Sequence, residues 1–319
     1  MALYGQDIDK FWFHFSKWNK DAEIDYFTLT QKGANDARSD DLKGVTSVIG
    51  NTLNKDREKP HLAALDHTPS TVMTTATGEV VLVRGVAPLL HPSSRNTRGV
   101  EHDIIGGLLT SIVEDWNDPK RRVQTTNNAI AKNYFLRVFY EKFKGDPKQV
   151  EVGFLKSRYL VKVHKAIFIA PSSAEKDDEE ENLPSTKKHK LTSKASRKAV
   201  ADIVGLDGKV SGRSIGYAGV NLFVSLTNAS QWPSESYYGV SLPQMYDFIV
   251  DFFEAPKPET QARERADALL AWWNKQIFPM HAASAVINRT SVDAWELLRA
   301  QRAELEPDED DEEPDEDNE

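Results

Sequence analysis

SIGYAGVNLFVSLTNASQW (residues 214–232), MYDFIVDFFE (245–254) and ALLAWWNKQIF (268–278) decide the fold. In the first stretch Ile215, Ala218, Leu222 and Leu226 recur at helical spacing, while Tyr217, Val220, Phe223 and Val224 occupy the other side. A helix that is apolar nearly all round is a buried one. Pro233 and the polar run 234–236 interrupt the pattern as a loop does. Leu242, Met245, Ile249, Phe252 and Phe253 then carry a second helix, with Pro243 in the first turn, where a missing N–H costs little. Pro256 and Pro258 end it. Leu269, Trp272, Trp273, Ile277 and Phe278 form a third apolar face, closed by Pro279. Rings this large at helical spacing read first as core, because each buries so much area, and only second as an aromatic ligand cage or stacking platform.

Upstream, Ile104, Leu108, Ile112 and Trp116 repeat every four residues, which predicts a helix from Val100 to the Asp118-Pro119 stop. Asn128 is placed to cap a further helix bearing Ile130, Tyr134, Val138 and Phe143. After the Gly145-Asp146-Pro147 turn, Leu155, Tyr159, Val163 and Ile167 make another apolar face. Nearer the N-terminus, Leu42, Val45, Ile49 and Leu53 predict a short amphipathic helix opened by Ser39. The segment 1–18 mixes strand and helix periodicities and is read as helix. Val72-Met73-Thr74 and Val80 to Val83 flank a Thr77-Gly78 pair, which predicts a β-hairpin, the one firm strand signal.

The fold expected is therefore mainly α: a multi-helix globular domain with a small β-hairpin in an N-terminal extension and disordered charged segments. The divisions expected are an extension over 1–98 with short helices and the hairpin, and a helical core domain over 99–280. A charged flexible insertion at 171–198 interrupts that core, and a C-terminal helix at 281–305 and an acidic tail at 306–319 follow it. Val292, Trp295 and Leu298 mark that last helix, with Ser291 as its cap. The insertion and the tail lack the apolar residues that repay ordering entropy.

Charge is sorted along the chain. The net charge is −9, but residues 306–319 alone hold 11 acidic side chains and no basic one, so the remainder stands at +2. Residues 120–165 contain 12 Lys/Arg against Glu141, Asp146 and Glu151, a local excess of +9. Arg158, Lys162 and Lys165, at i, i+4 and i+7, line the side opposite the Leu155/Tyr159/Val163/Ile167 face. Such a stripe is either a solvated face or a surface for nucleic-acid phosphates. With Lys120, Arg121 and Arg122 these form the candidate phosphate-contacting set. Lys187, Lys188, Lys190, Arg197 and Lys198 are spaced like a two-part nuclear import signal; a solubilising linker is the plainer reading.

With no cysteine, thiolate metal sites, disulfides and a cysteine nucleophile are excluded. No basic–apolar–small leader opens the sequence and the longest apolar run, 104–113, is too short for a membrane span, so an intracellular soluble protein is expected. The eight histidines form no HExxH or comparable ligand pair, and no GxSxG, phosphate-binding loop or GxGxxG is present. Glu101-His102-Asp103 is the densest titratable triplet, but consecutive helical residues diverge. Glu114, Asp115 and Asp118 are the nearest thing to a carboxylate cluster. No cofactor and no metal are expected.

EDWNDP (114–119), GFLKSRYLVKVHKAIFIAPSSAEK (153–176), RSIGYAGVNLFVSLTNASQW (213–232), YDFIVDFFE (246–254) and LLAWWNKQIFP (269–279) together resemble an uncharacterised protein family numerous in mushroom-forming fungi. The resemblance spans about residues 95–280 and implies one structural unit there; it brings no activity and no functional residues. The reading that follows is a non-enzymatic helical interaction protein, nuclear, touching nucleic-acid phosphates through a basic face and modulated by the acidic tail. The alternatives are a protein-binding scaffold with no nucleic-acid role, in the nucleus or the cytoplasm, and a hydrolase with a dispersed site. A contiguous basic surface favours the first, and a large exposed apolar patch favours the scaffold.

Overall fold

The computed structural model describes residues 20–75, 79–83, 85–120, 122, 133–176, 200–206, 208–229, 236–279, 296, 298 and 299, with backbone alone at 20–31, 34, 176 and 202. Helix α1 (Lys20–Asp56) is 37 residues long. It starts well before the expected Ser39; Leu42, Val45, Ile49 and Leu53 are buried, whereas Asn35 to Asp40 are exposed. A one-turn helix α2 (Pro60–Ala63) follows, opened by its proline. Strands β1 (Thr71–Thr74) and β2 (Val80–Val83) pair antiparallel from Thr71↔Val83 to Thr74↔Val80, the hairpin read from the sequence; its turn lies outside the described residues.

Helix α3 (Asp103–Leu109) is shorter than the four-residue repeat implies. Thr110 turns extended and folds its hydroxyl back onto the Gly106 carbonyl at 2.7 Å. Ile112 and Trp116 still reach the core, from irregular backbone. The Trp116 ring lies flat enough against the helix that a Cβ on Gly106 would sit 2.6 Å from it, and its indole N–H donates to the Leu65 carbonyl at 3.2 Å. The repeat recorded burial, not continuity of helix.

The helix expected to start at Asn128 is corrected in its second half; 123–132 lie outside the described residues. Tyr134 to Phe143 form two 3-10 turns, Arg137–Phe139 and Glu141–Phe143, with Lys142 and Phe143 at φ 52° and 58°. The cause is that Leu136, Val138, Phe139, Tyr140 and Phe143 are all buried. Residues so close in sequence cannot share one helix face, so the chain takes an irregular path that turns each inward.

Helix α4 (Arg158–Phe168) is capped by Ser157, whose hydroxyl accepts from the Tyr159 N–H at 3.2 Å. Helix α5 (Pro171–Lys176) occupies the start of the expected flexible insertion and buries Ala174; the rest of that insertion lies outside the described residues. After α6 (Val200–Ile203) comes α7 (Gly212–Leu226), with 13 of its 15 residues buried. A reciprocal Ser211/Ser214 capping box closes its N-terminus. Gly212, Gly216 and Gly219 line one side of α7. A Cβ on Gly219 would stand 2.7 Å from Ile249 and one on Gly212 2.9 Å from Phe253, so these glycines let the next helix approach closely. A second small sheet, β3 (Ser236–Tyr237) with β4 (Val240–Ser241), leads into that helix, α8 (Leu242–Glu254). The last long element is α9 (Gln261–Ile277), capped by Thr260. Trp273 packs inward and donates its indole N–H to the Leu155 carbonyl at 3.1 Å.

α7 is the axis of the molecule, packed against α8, α1 and α4, and α1 also packs on α4. Residues of α1 to α4 and of α6 to α9 share a single apolar cluster, so the segment expected to be an N-terminal extension supplies one wall of the core, while Ala174 of α5 packs in a smaller cluster with Val48 and Ala166.

Two buried polar groups tie this core. Arg98 is 3 % exposed. Its guanidinium donates to the carbonyls of Ser225 (2.9 Å), Thr46 (2.8 Å), His91 (3.1 Å), Pro92 (3.2 Å) and Ser94 (3.2 Å), joining α1, the end of α7 and the intervening loop. Burial, with a contribution from neighbouring Arg95, pushes its pKa down to about 10, still charged at neutral pH. His164, fully buried in α4, sits 3.0 Å from the Ser214 hydroxyl through Nε2, and its Nδ1 has no hydrogen-bond partner among the described residues. Burial pushes its pKa down to about 3.

Two consequences are measurable. A Cβ on Gly50 would collide with the Arg98 guanidinium, whereas one on Gly44 meets nothing within 4 Å. Gly44→Ala therefore gains the helix preference of alanine, about 0.5–1 kcal/mol. Gly50→Ala loses roughly 1–3 kcal/mol to overpacking despite the same preference. Urea midpoints of the two variants should move in opposite directions. For His164 the unfolded chain titrates near 6.5 and the folded one near 3. The stabilisation from neutral His164 is thus full above pH 6.5 and lost as pH falls toward 3. Between pH 7 and pH 5 wild type should lose about 2 kcal/mol more than His164→Gln; equal losses would refute the assignment.

Candidate functional site: an exposed apolar hairpin

The described residues among those expected to bind phosphate are engaged in local contacts. Lys120 is exposed, and its backbone N–H is held by Asp118 at 2.9 Å. Arg122 is half-buried and donates to the carbonyls of Trp116 (2.9 Å) and Asn117 (3.1 Å). Arg121 lies outside the described residues. The Arg158/Lys162/Lys165 stripe is corrected: it is not a solvated face. Helices α1 and α5 cover that side of α4. Arg158 is 3.0 Å from the buried Asp56 carboxylate, which also takes a 2.9 Å contact from Lys59 and a 3.2 Å hydrogen bond from the Tyr159 hydroxyl. Lys162 is 2 % exposed and donates to the Ala174 carbonyl at 2.6 Å, and Lys165 is half-buried. Lys187, Lys188, Lys190, Arg197 and Lys198 lie outside the described residues.

The carboxylates and histidines weighed for chemistry serve local structure. His102 caps α3 and contacts the Pro88 carbonyl at 3.0 Å. Asp115 and Asp118 accept backbone N–H groups two residues on, and Glu114 is buried. Among the described residues no group of three His, Asp or Glu is placed to hold a metal ion. His164 and Ser214 have the separation of a base and a nucleophile, but both are buried, and the Ser214 hydroxyl donates to the Ser211 carbonyl at 2.8 Å within the cap of α7.

The outstanding surface is the hairpin. Val72, Val80 and Leu82 are 67 %, 68 % and 68 % exposed, and Met73, Val81 and Val83 on the other face are exposed too. Alternation puts Val72, Thr74, Val80 and Leu82 on one face. Val86 and Leu89 continue the apolar surface beyond the strands. Between and beside them in sequence, Ala87, Pro88 and Leu90 line a small cleft with Leu53, Arg57, His102 and Ile104. Exposed apolar side chains on a monomer are ordinarily scattered singly, whereas here six lie on two paired four-residue strands.

The base of the hairpin, by contrast, is fixed. Asp66 accepts the Thr68 hydroxyl at 2.6 Å, the Thr68 N–H at 3.1 Å and the Ala87 N–H at 2.9 Å, so one carboxylate clamps both legs. Burial pushes the Asp66 carboxyl up, but the hydrogen bonds from Thr68 and Ala87 outweigh it and hold its pKa below the ordinary value. A Cβ on Gly85 would collide with the Pro69 carbonyl, so the legs close to contact.

The edges are open. The Thr75 N–H donates to the Glu79 carbonyl at 2.8 Å. Bonded and non-bonded pairs alternate in an antiparallel ladder. Met73–Val81 and Thr71–Val83 are therefore the bonded pairs of the strands, and the main-chain groups of Val72, Thr74, Val80 and Leu82 point away from the hairpin. The sequence showed the strands but not their exposure. The signal was the unbroken Val-Val-Leu-Val run, apolar on both faces of a two-stranded sheet that has only one neighbouring strand to offer.

Neither a curated protein nor a solved structure is significantly similar to the chain. A family model does match, over residues 32–278, which takes in the buried residues of α1, the hairpin and every helix through α9. The shared unit thus begins well before residue 95, and the chain belongs to a family of unknown function, DUF6698.

Proposed function

We propose that the protein is a non-enzymatic helical interaction protein that docks polypeptide partners on the β1–β2 hairpin. The observation that carries this is an apolar two-stranded sheet held rigid at its base and exposed on both faces and edges. Such a sheet is marginal by itself. A segment that adds a strand to an open edge supplies main-chain hydrogen bonds, and its alternate side chains take up the apolar face. The partner class is therefore an extended, apolar stretch of polypeptide.

A phosphate-binding role finds less support, because Lys162 is buried and Arg158 is committed to Asp56. Nuclear residence fits an interaction protein carrying the Lys187/Lys188/Lys190 and Arg197/Lys198 clusters; a fluorescent fusion should lose nuclear accumulation when these lysines and arginine become alanine.

The docking reading is tested with a photo-crosslinking amino acid at position 82 or, as control, at exposed Lys43 on α1. Polypeptide adducts are expected from position 82 and not from 43, and Val80→Glu should abolish them. Because the hairpin lies outside the core cluster, that substitution should leave helical circular dichroism intact and stability within about 0.5 kcal/mol. Adducts from both positions alike, or none from 82, refute the reading. Asp66→Ala removes the clamp: hydrogen exchange at the Val81 amide should speed up at least tenfold while core amides of α7 keep their protection.

A further inference from the structure

We infer that the hairpin's first occupant is a second copy of this chain, with the two β2 strands paired antiparallel about a two-fold axis at Val81. This rests on the reading of the hairpin as a docking element and names its partner. The open edge of β2 is formed by the main-chain groups of Val80 and Leu82, one on each side of Val81. Set antiparallel against its own copy, Val80 of one chain meets Leu82 of the other, and each donates to and accepts from its opposite. Val81 faces its own equivalent across the axis as a non-bonded pair. A two-fold interface requires such self-complementarity, the same patch meeting itself.

Charge selects the same arrangement. Glu79 precedes β2 and Arg84 follows Val83 in the sequence, with four uncharged residues between. An antiparallel copy brings the acidic end of one strand to the basic end of the other; a parallel copy would bring like to like. The strands Thr71–Thr74 and Val80–Val83 carry none of the lysine, proline or inward charge with which edge strands are guarded against pairing. Pairing makes a sheet of four strands, past the size at which a sheet holds without further support. It also doubles the apolar face that includes Val72, Val80 and Leu82.

Sedimentation of the full chain up to about 100 µM, a range in which small interfaces still associate, tests this. Wild type should shift from monomer to dimer as concentration rises. Leu82→Pro deletes only an outward N–H and spares the bonded pairs of the hairpin, so it should weaken the dimer at least roughly tenfold while Leu82→Thr does so less. At low salt Glu79→Arg should weaken self-association several-fold. Adding Arg84→Glu restores opposite ends and should bring it back to about the wild-type value. Unchanged helical circular dichroism certifies each variant. A chain that stays monomeric, or a dimer indifferent to Leu82→Pro and to the charge exchange, overturns the inference. If the monomer still crosslinks other proteins from position 82, self-pairing fails and the docking reading stands. If position 82 captures nothing, both fall.

Discussion

A helix buried on every side imposes conditions on whatever surrounds it, and α7 imposes them here. Its side chains cannot choose a solvent face, so neighbours must be supplied all round: α8 along the glycine side, α1 and α4 on the others. Its ends cannot borrow water for their unpaired main-chain groups. At the N-terminus Ser211 and Ser214 satisfy each other. Toward the C-terminus the Ser225 and Thr227 hydroxyls bond back to Leu222 and Val224, and the Ser225 carbonyl receives Arg98. A guanidinium suits that place. It stays charged when buried, it has donors enough to reach several carbonyls at once, and the negative end of a helix attracts it. The same Arg98 reaches Thr46 of α1, so the group that closes α7 also fastens the helix beside it.

Legibility followed from this architecture. Where burial and helix coincide over many turns, as in 212–226, 242–254 and 261–277, periodicity located the elements, and proline and cap residues located their ends. Where burial comes without helix, the same periodicity misled. Ile112 and Trp116 kept the four-residue beat of α3 after the backbone had turned extended, because both point into the core from a loop. Phe139, Tyr140 and Phe143 are core residues on 3-10 turns with left-handed backbone at Lys142 and Phe143, a conformation that neither composition nor spacing advertises. Hydrophobic pattern reports which residues leave water; only neighbours far along the chain decide the backbone that takes them there.

The sorted charge shows the same gap between sequence and surface. Residues 120–165 are rich in cations, yet part of that excess is spent inside. Lys162 satisfies the carbonyl of Ala174, Arg158 neutralises Asp56, and Arg137 donates to the Ser111 carbonyl at 2.9 Å. A helix with an apolar face and a basic face looks amphipathic from its own residues. It becomes something else once α5 and α1 lie across the basic side, because a long aliphatic stem ending in an ammonium can be buried if its head meets a carbonyl. Local net charge is therefore a poor map of local potential in this chain.

Against that background the hairpin, the densest group of exposed apolar side chains among the described residues, calls for a function. Elsewhere the chain goes to some length to bury apolar side chains, bending through 3-10 turns and clearing glycine tracks to do so. At β1–β2 it leaves Val72, Val80 and Leu82 largely in water, and it anchors the strands with a carboxylate clamp at Asp66 instead of folding them inward. Flexibility alone would not need a clamp, and a strand destined for the core of its own chain would not stay out of it. A fixed base with open edges is the arrangement that lowers the ordering cost of adding a strand from outside, since the template is formed before the partner arrives. The family match includes the hairpin together with the helical core, so the rigid bundle and the apolar projection belong to one unit, the first holding the second in place.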